Sequence, residues 1–298
     1  MGRSPKIGLA LGSGGARGWC HLGVLSVLDD LGIRPDIIAG CSMGAVVGAA
    51  EAGGKRADLL DWALNLTQAR FMGLVDIRPS SGGLIAGKQI ANVLAEFDLD
   101  VAFDALQKPF TAVATDLETG REIWLDKGSL LPAIRASVAI PGLFAPQRLD
   151  HRWLIDGGVT NPVPASVCRA RGADVIIAVN PNAKPDGKIW QADPDDGMLS
   201  RLQHSLEDAL PAAWRPAQRQ PGDNPPQGFE VAGAAIDILT EYLRRTRAAA
   251  DPADVVIDVN LSTFSILSFD QAATAIDTGR DAALAQSDKL TDLCRALP

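Results

Sequence analysis

Residues 40 to 44 read Gly-Cys-Ser-Met-Gly, a G-x-S-x-G pattern in which a sharp strand-to-helix turn lifts a serine into a cleft. A serine hydroxyl is a weak nucleophile until a base removes its proton, so Ser42 needs a proton acceptor at its side. It also needs donors for the negative charge that builds on a carbonyl oxygen under attack. The stretch GSGGARG (12–18) is suited to supply them. Consecutive glycines let the chain curl until neighbouring N–H groups face one point, and the helix that follows adds positive potential. Asp156 ends an apolar run and is followed by Gly157 and Gly158, so a carboxylate stands where other backbone can approach closely.

Each element has a plainer reading. The glycine stretch could be a dinucleotide loop, but G-x-G-x-x-G counted from Gly12 meets Arg17 in place of its last glycine. Counted from Ser13 it fails at its first position, and Asp36 precedes the second strand instead of closing it. Asp156 could form an Asx turn after a strand. The chain has three histidines, and Ser42, Asp156 and His204 follow the Ser…Asp…His order of a triad hydrolase. Against a triad, Ser42 comes after only the second strand, and His204 lies inside the amphipathic piece RLQHSLEDAL. His21, at the start of the helix after the glycine stretch, reads as a local hydrogen-bonding residue. His151 reads as a turn residue between strands.

The elements that must hold these residues follow from hydrophobic pattern. KIGLAL (6–11) and DIIAG (36–40) read as buried strands, each ending in one of the glycine motifs. Between them Trp19, Leu22, Leu25, Leu28 and Leu31 mark a helix that Gly32 stops, and AVVGAAEAGG is a small-residue helix after the serine. Alternating strands and helices joined by glycine turns predict a parallel α/β sheet. Further strands are expected at 109–116, 121–126, 152–158, 173–180 and 254–260, with helices over VAGAAIDILTEYLRRTRAA and SFDQAATAIDTGRDAALAQ. Residues 181–230 are proline-rich and read as an insertion or lid.

Composition narrows the function classes. The chain has 298 residues, 47% of them hydrophobic, with a net charge of −8. No dense Lys/Arg block is present, which argues against a nucleic-acid partner. The cysteines are scattered without metal-ligand spacing, so buried free thiols in a reducing compartment are expected. MGRSPKIGLA lacks a signal-peptide core, and the cytoplasm is the expected location. Ile236, Leu239 and Leu243 share a helix face near Arg244, Arg245 and Arg247, a pattern compatible with peripheral contact at a membrane.

Glycine loop, serine elbow and Asp-Gly-Gly, in this order, resemble the patatin-like phospholipase family. ARGWCHLGVL (16–25), ATDLETG (114–120), RASVAIPGLFAP (135–146) and DGGVTNPVP (156–164) are similar to its bacterial branch related to neuropathy-target-esterase catalytic domains. The resemblance covers about residues 6 to 180. It implies a three-layer α/β/α fold with a central, mostly parallel sheet, in one domain over residues 6–298. It implies a Ser–Asp dyad, with Ser42 as nucleophile and Asp156 as general base, without metal or cofactor. The oxyanion hole would come from the glycine loop: Gly14 and Gly15 as main donors, Ser13 where many members have glycine, and Arg17 steadying the loop. Gly40, Gly44, Gly157 and Gly158 would be the elbow and motif glycines. The implied substrates are acyl esters, phospholipids and lysophospholipids first. An acyltransferase using the same acyl-serine and a catalytically silent regulatory protein are the alternatives. Gly82-Gly83-Leu84 and the 181–230 segment are the candidates to flank an acyl pocket.

Overall fold

The computed structural model describes residues 5–73, 83–85, 88–188 and 228–295. In chain order the elements are β1 (Ile7–Leu11), α1 (Cys20–Asp30), β2 (Ile37–Cys41), α2 (Met43–Ala52), α3 (Arg56–Leu64), α4 (Gln68–Gly73), β3 (Gly83–Ile85) and α5 (Lys88–Glu96). These are followed by β4 (Phe110–Asp116), β5 (Glu122–Leu125), α6 (Leu130–Ser137), β6 (Gly142–Phe144), β7 (Gln147–Leu149), β8 (Arg152–Asp156), α7 (Ala165–Ala170) and β9 (Val175–Asn180). The chain closes with α8 (Gly228–Ala250), β10 (Val255–Asp258), α9 (Ala272–Leu284) and α10 (Ser287–Arg295).

The main sheet has eight strands, ordered β10-β9-β1-β2-β4-β8-β7 with β5 also on β4; β3 and β6 pair separately. From β10 to β4 every neighbour is parallel, while β5, β7 and β8 join antiparallel. The strand interiors explain why helices cover both faces. Leu9, Leu11, Ile38, Ile177, Val179 and Ile257 point into one apolar core, packed by α1, α2 and α9. Ala10, Ile37, Ala39, Ile176 and Ala178 alternate with them into a second core under α7. A pleated strand with apolar residues on both sides requires cover on both sides, and three layers result.

Register on β4 sets the site. At Ala112 and Val113, β4 pairs with β2 and with β5; at Ala114 and Thr115 it pairs with β5 and with β8. A strand has two hydrogen-bonding edges, so β2 and β8 occupy the same edge, one after the other. Cys41 lies opposite Val113 and Asp156 opposite Ala114. The edge therefore passes from one strand to the other between consecutive residues of β4, where β2 turns away into the serine elbow.

Several expectations change. The stretch Gly15–Trp19 is a 3₁₀ turn, and the regular helix begins at Cys20. Helices α3 to α7 and the three-residue strands are additional to the elements expected from pattern. On α8, Ile236 and Leu239 are exposed, and its three arginines are ion-paired within the protein. Arg244 and Arg245 both bond Glu241, and Arg247 pairs with Glu122. Of the 181–230 segment, residues 189–227, His204 among them, lie outside the described residues. No helix among the described residues is long and apolar enough to cross a membrane.

Candidate active site

Ser42 sits between β2 and α2 with φ 54° and ψ −123°. A non-glycine residue held in this region stores on the order of 1–3 kcal/mol of strain and persists only where its surroundings enforce it. Gly40 and Gly44 are part of that enforcement. A Cβ on Gly40 would stand 2.4 Å from the Gly44 carbonyl oxygen, and one on Gly44 would stand 2.2 Å from that of Leu11. Ser137, at the end of α6, supplies the rest. Its hydroxyl donates to the Val113 carbonyl at 2.6 Å and accepts from the Ser42 N–H at 2.9 Å. The hydroxyl thus restores, one atom further out, the ladder contact that β2 loses as it leaves β4. Pattern reasoning did not single out Ser137, because its contact spans 95 residues of chain.

Asp156 arrives from β8 and is fixed at three points. Its N–H donates to Ala139 O, its carbonyl accepts from the Thr115 hydroxyl, and its Oδ1 accepts from the Gly158 N–H at 2.7 Å. The Cys41 thiol, 4.0 Å from Oδ1, adds a weak donor. Oδ2 has no fully formed hydrogen bond. Burial pushes the Asp156 carboxyl up to about 6, against the opposing pull of the Ser42 hydroxyl and the Gly158 N–H. The Ser42 hydroxyl thus favours the ionised form of the carboxylate that burial disfavours.

The two described histidines, His21 and His151, are engaged elsewhere. His21 is fully buried, with Nε2 2.8 Å from the Gly12 carbonyl oxygen; burial lowers it to about 4. A carbonyl only accepts, so the neutral ring places its proton on Nε2 and is committed to the loop. His151 lies in the β7–β8 turn with φ 66°.

The glycine loop is pinned plane by plane. Ser13 N–H donates to Pro162 O, Ala16 N–H to Ile266 O, and Arg17 N–H to Gly14 O. Among the described residues, the N–H groups of Gly14 and Gly15 donate to nothing. One of the expected donors, Ser13, is thus committed elsewhere. The Ser13 N–H is used by Pro162. Arg17 is buried, donating from Nε to Phe264 O at 2.8 Å and from Nη1 to Asn182 Oδ1 at 3.0 Å, with Asp237 at 3.6 Å. Both support the loop from behind, which leaves Gly14 and Gly15 as its free donors.

Ser42 opens on a cavity of ≈ 90 Å³ lined by Trp19, Met43, Leu59, Trp62 and Phe269, among others; among the described residues, Ser42 and Gly15 are the only lining residues that are not apolar side chains. Its walls come from the 3₁₀ turn Gly15–Trp19, from α2 to α5, from the stretch between α6 and β6, and from the segment before α9. Of the expected flanks, the described residues 181–188 contribute none of the lining, and Gly82 and residues 189–227 lie outside the described residues. No group of three His, Cys, Asp or Glu side chains able to hold a metal occurs among the described residues.

An α/β sheet with a strained serine beside a buried aspartate and a glycine loop agrees with what sequence comparison finds. The chain belongs to the patatin-like phospholipase family, whose sequence model matches residues 9–169. It is 36% identical to an uncharacterised NTE family protein of Mycobacterium tuberculosis, over 93% of this chain and 90% of that protein. It is 30% identical to the Drosophila melanogaster neuropathy target esterase over 61% of this chain and 13% of that protein. Mouse patatin-like phospholipase domain-containing protein 7 is 31% identical over 60% of this chain and 14% of its own length. The crystal structure of VipD from Legionella pneumophila shares the fold, with a TM-score of 0.50 and 16% identity over 97% of this chain and 67% of that one.

The raised carboxyl has a consequence for stability. Between about pH 4 and 6 the folded chain keeps a proton on Asp156 that the unfolded chain has lost, so this group makes stability fall as pH rises through that window. Above it the ionised carboxylate costs about 3 kcal/mol. Asp156→Asn is expected to melt several degrees higher than the natural chain at about pH 8, the gap closing by about pH 4. Equal melting temperatures at both values would show that the carboxylate is not desolvated.

Proposed function

We propose that this chain is a serine lipid acyl hydrolase, a carboxylic ester hydrolase of the phospholipase A or lysophospholipase type. The observation that carries the reading is a buried carboxylate coupled to the Ser42 hydroxyl, with unpartnered N–H groups on the glycine loop and an apolar cavity that both Ser42 and Gly15 line. Asp156 takes the proton of the Ser42 hydroxyl as the oxygen attacks an ester carbonyl. The Gly14 and Gly15 N–H groups receive the charge that forms on the carbonyl oxygen. When the tetrahedral adduct collapses, the alcohol or lysolipid leaves with the proton from Asp156, and the acyl group stays on Ser42. Asp156 then deprotonates a water that attacks the acyl-serine, and returns that proton to the Ser42 oxygen as the fatty acid departs. A carboxylate is a weaker base than imidazole, and burial brings it closer to the working pH.

Membership of a phospholipase family and the NTE relatives support lipid esters as substrates, and the apolar walls beside Ser42 suit an acyl chain. Such substrates are met at lipid surfaces, so we place the protein in the cytoplasm with peripheral membrane encounters. The same reading treats residues 6–298 as one domain.

Hydrolysis of lysophosphatidylcholine by the purified chain is the direct test. Ser42→Ala and Asp156→Asn are each expected to lose about 10³-fold or more in kcat/KM, and a fluorophosphonate should label the natural chain but not Ser42→Ala. Retained hydrolysis in Ser42→Ala would overturn the reading. The pH profile of kcat/KM should rise through a single ionisation near 6, the free-enzyme value of Asp156. His204→Ala should keep the rate within about threefold, whereas a loss beyond about 100-fold would reinstate a histidine base.

A further inference from the structure

Asn182 lies two residues beyond β9, at the edge of a segment that no sequence motif marks. Its side chain bridges two parts of the glycine loop. Nδ2 donates to the Ser13 carbonyl at 2.7 Å, and Oδ1 accepts from Arg17 Nη1 at 3.0 Å. A carbonyl can only accept and a guanidinium can only donate, so these two neighbours leave the amide a single orientation. Asn182 is itself held from behind. Its N–H donates to Asn180 Oδ1 at 3.1 Å, and Asn180 Nδ2 donates to Asp258 Oδ1 at 2.7 Å, which ties the ends of β9 and β10 together.

The position of that contact matters because a peptide unit is a rigid plane. In a trans peptide the carbonyl and the following N–H point in opposite directions, and no cis bond occurs among the described residues. The Ser13 carbonyl and the Gly14 N–H belong to one such plane. Fixing the carbonyl on Asn182 therefore fixes the direction of the Gly14 N–H. The adjacent plane is set by the loop itself, through Arg17 N–H on the Gly14 carbonyl. Ser13 and Gly14 are followed by glycine, the residue whose backbone is least able to hold an orientation unaided. An external clamp is thus needed where the loop is softest.

We infer that Asn182 is a positioning residue that aims the Gly14 N–H at the developing oxyanion, and that the role of Arg17 is to lock the orientation of this amide. The inference rests on the reading of Gly14 and Gly15 as oxyanion donors in an acyl-serine reaction. Asn182 touches neither substrate nor Ser42; it acts through the Ser13–Gly14 plane. Donors aimed at the transition state but not the ground state affect kcat more than KM. A residue that only stabilises the fold would instead change melting without this split.

Asn182→Asp separates the two contacts, since the carboxylate keeps an acceptor for Arg17 but removes the donor to Ser13. Asn182→Ser removes both without adding charge. Each is assayed on lysophosphatidylcholine beside Ser42→Ala, with fluorophosphonate labelling rates and melting temperatures. The expected result is a fall in kcat of about 10²-fold in both variants, the scale of one lost oxyanion donor. KM should change less than about threefold, labelling should slow in step with kcat, and melting should shift by only a few degrees. An unchanged kcat in either folded variant overturns the inference, as does a loss carried mainly by KM. Melting of both variants below the assay temperature also overturns it, since the amide would then hold the fold rather than aim a donor. If Ser42→Ala hydrolyses at the natural rate, it is the acyl-serine reading itself that fails.

Discussion

One edge of one strand organises this molecule. Strand β4 is paired along that edge first by β2 and then by β8, and the handover falls between Val113 and Ala114. Two strands meeting end to end on a shared edge bring their termini together without either crossing the other. The terminus of β2 is followed by Ser42, and that of β8 is Asp156. Their proximity follows from backbone register, which many hydrogen bonds enforce, and so does not depend on long flexible side chains. The handover also explains Ser137: the edge is briefly unpaired where β2 turns away, and a hydroxyl fills the gap between Val113 and Ser42.

The site is held at a cost in stability. Ser42 is strained, the Asp156 carboxylate is desolvated with one oxygen unpartnered, and the Gly14 and Gly15 N–H groups are left without acceptors. Each departs from what would stabilise the folded chain most, and a reaction of the proposed kind needs each of them. Two apolar cores, one on either face of the sheet, offset these costs by keeping the strands rigid. Such local departures in an otherwise well-satisfied fold are where function is expected to reside.

Some of this was readable in the sequence for clear physical reasons. The parallel strands are short apolar runs that end at glycine motifs, and their period survives because both faces are buried. The serine elbow and Asp-Gly-Gly are local patterns, and each places its residue at a strand end. Helix α6 was not readable, since Pro132 interrupts its pattern; the ring is tolerated because it falls in the first turn, where an N–H has no helical partner. Strands β6 and β7, of three residues each, are too short to show a period. Ser137 and Asn182 were invisible for another reason. Their contacts to Ser42 and Ser13 span 95 and 169 residues, and nothing local distinguishes either residue from an ordinary polar side chain. The Ser13 N–H, available on paper, is taken by Pro162, which only the fold reveals.

The central claim is that Asp156 is a buried base electrostatically coupled to the Ser42 hydroxyl. Carboxyl ¹³C titration of aspartate-labelled protein, assigned with Asp156→Asn, measures this directly. The account predicts a midpoint near 6 in the natural chain, moving upward in Ser42→Ala because the hydroxyl that favours the ionised form is gone. A midpoint at the ordinary aspartate value of about 4, unmoved by removal of the hydroxyl, would contradict it.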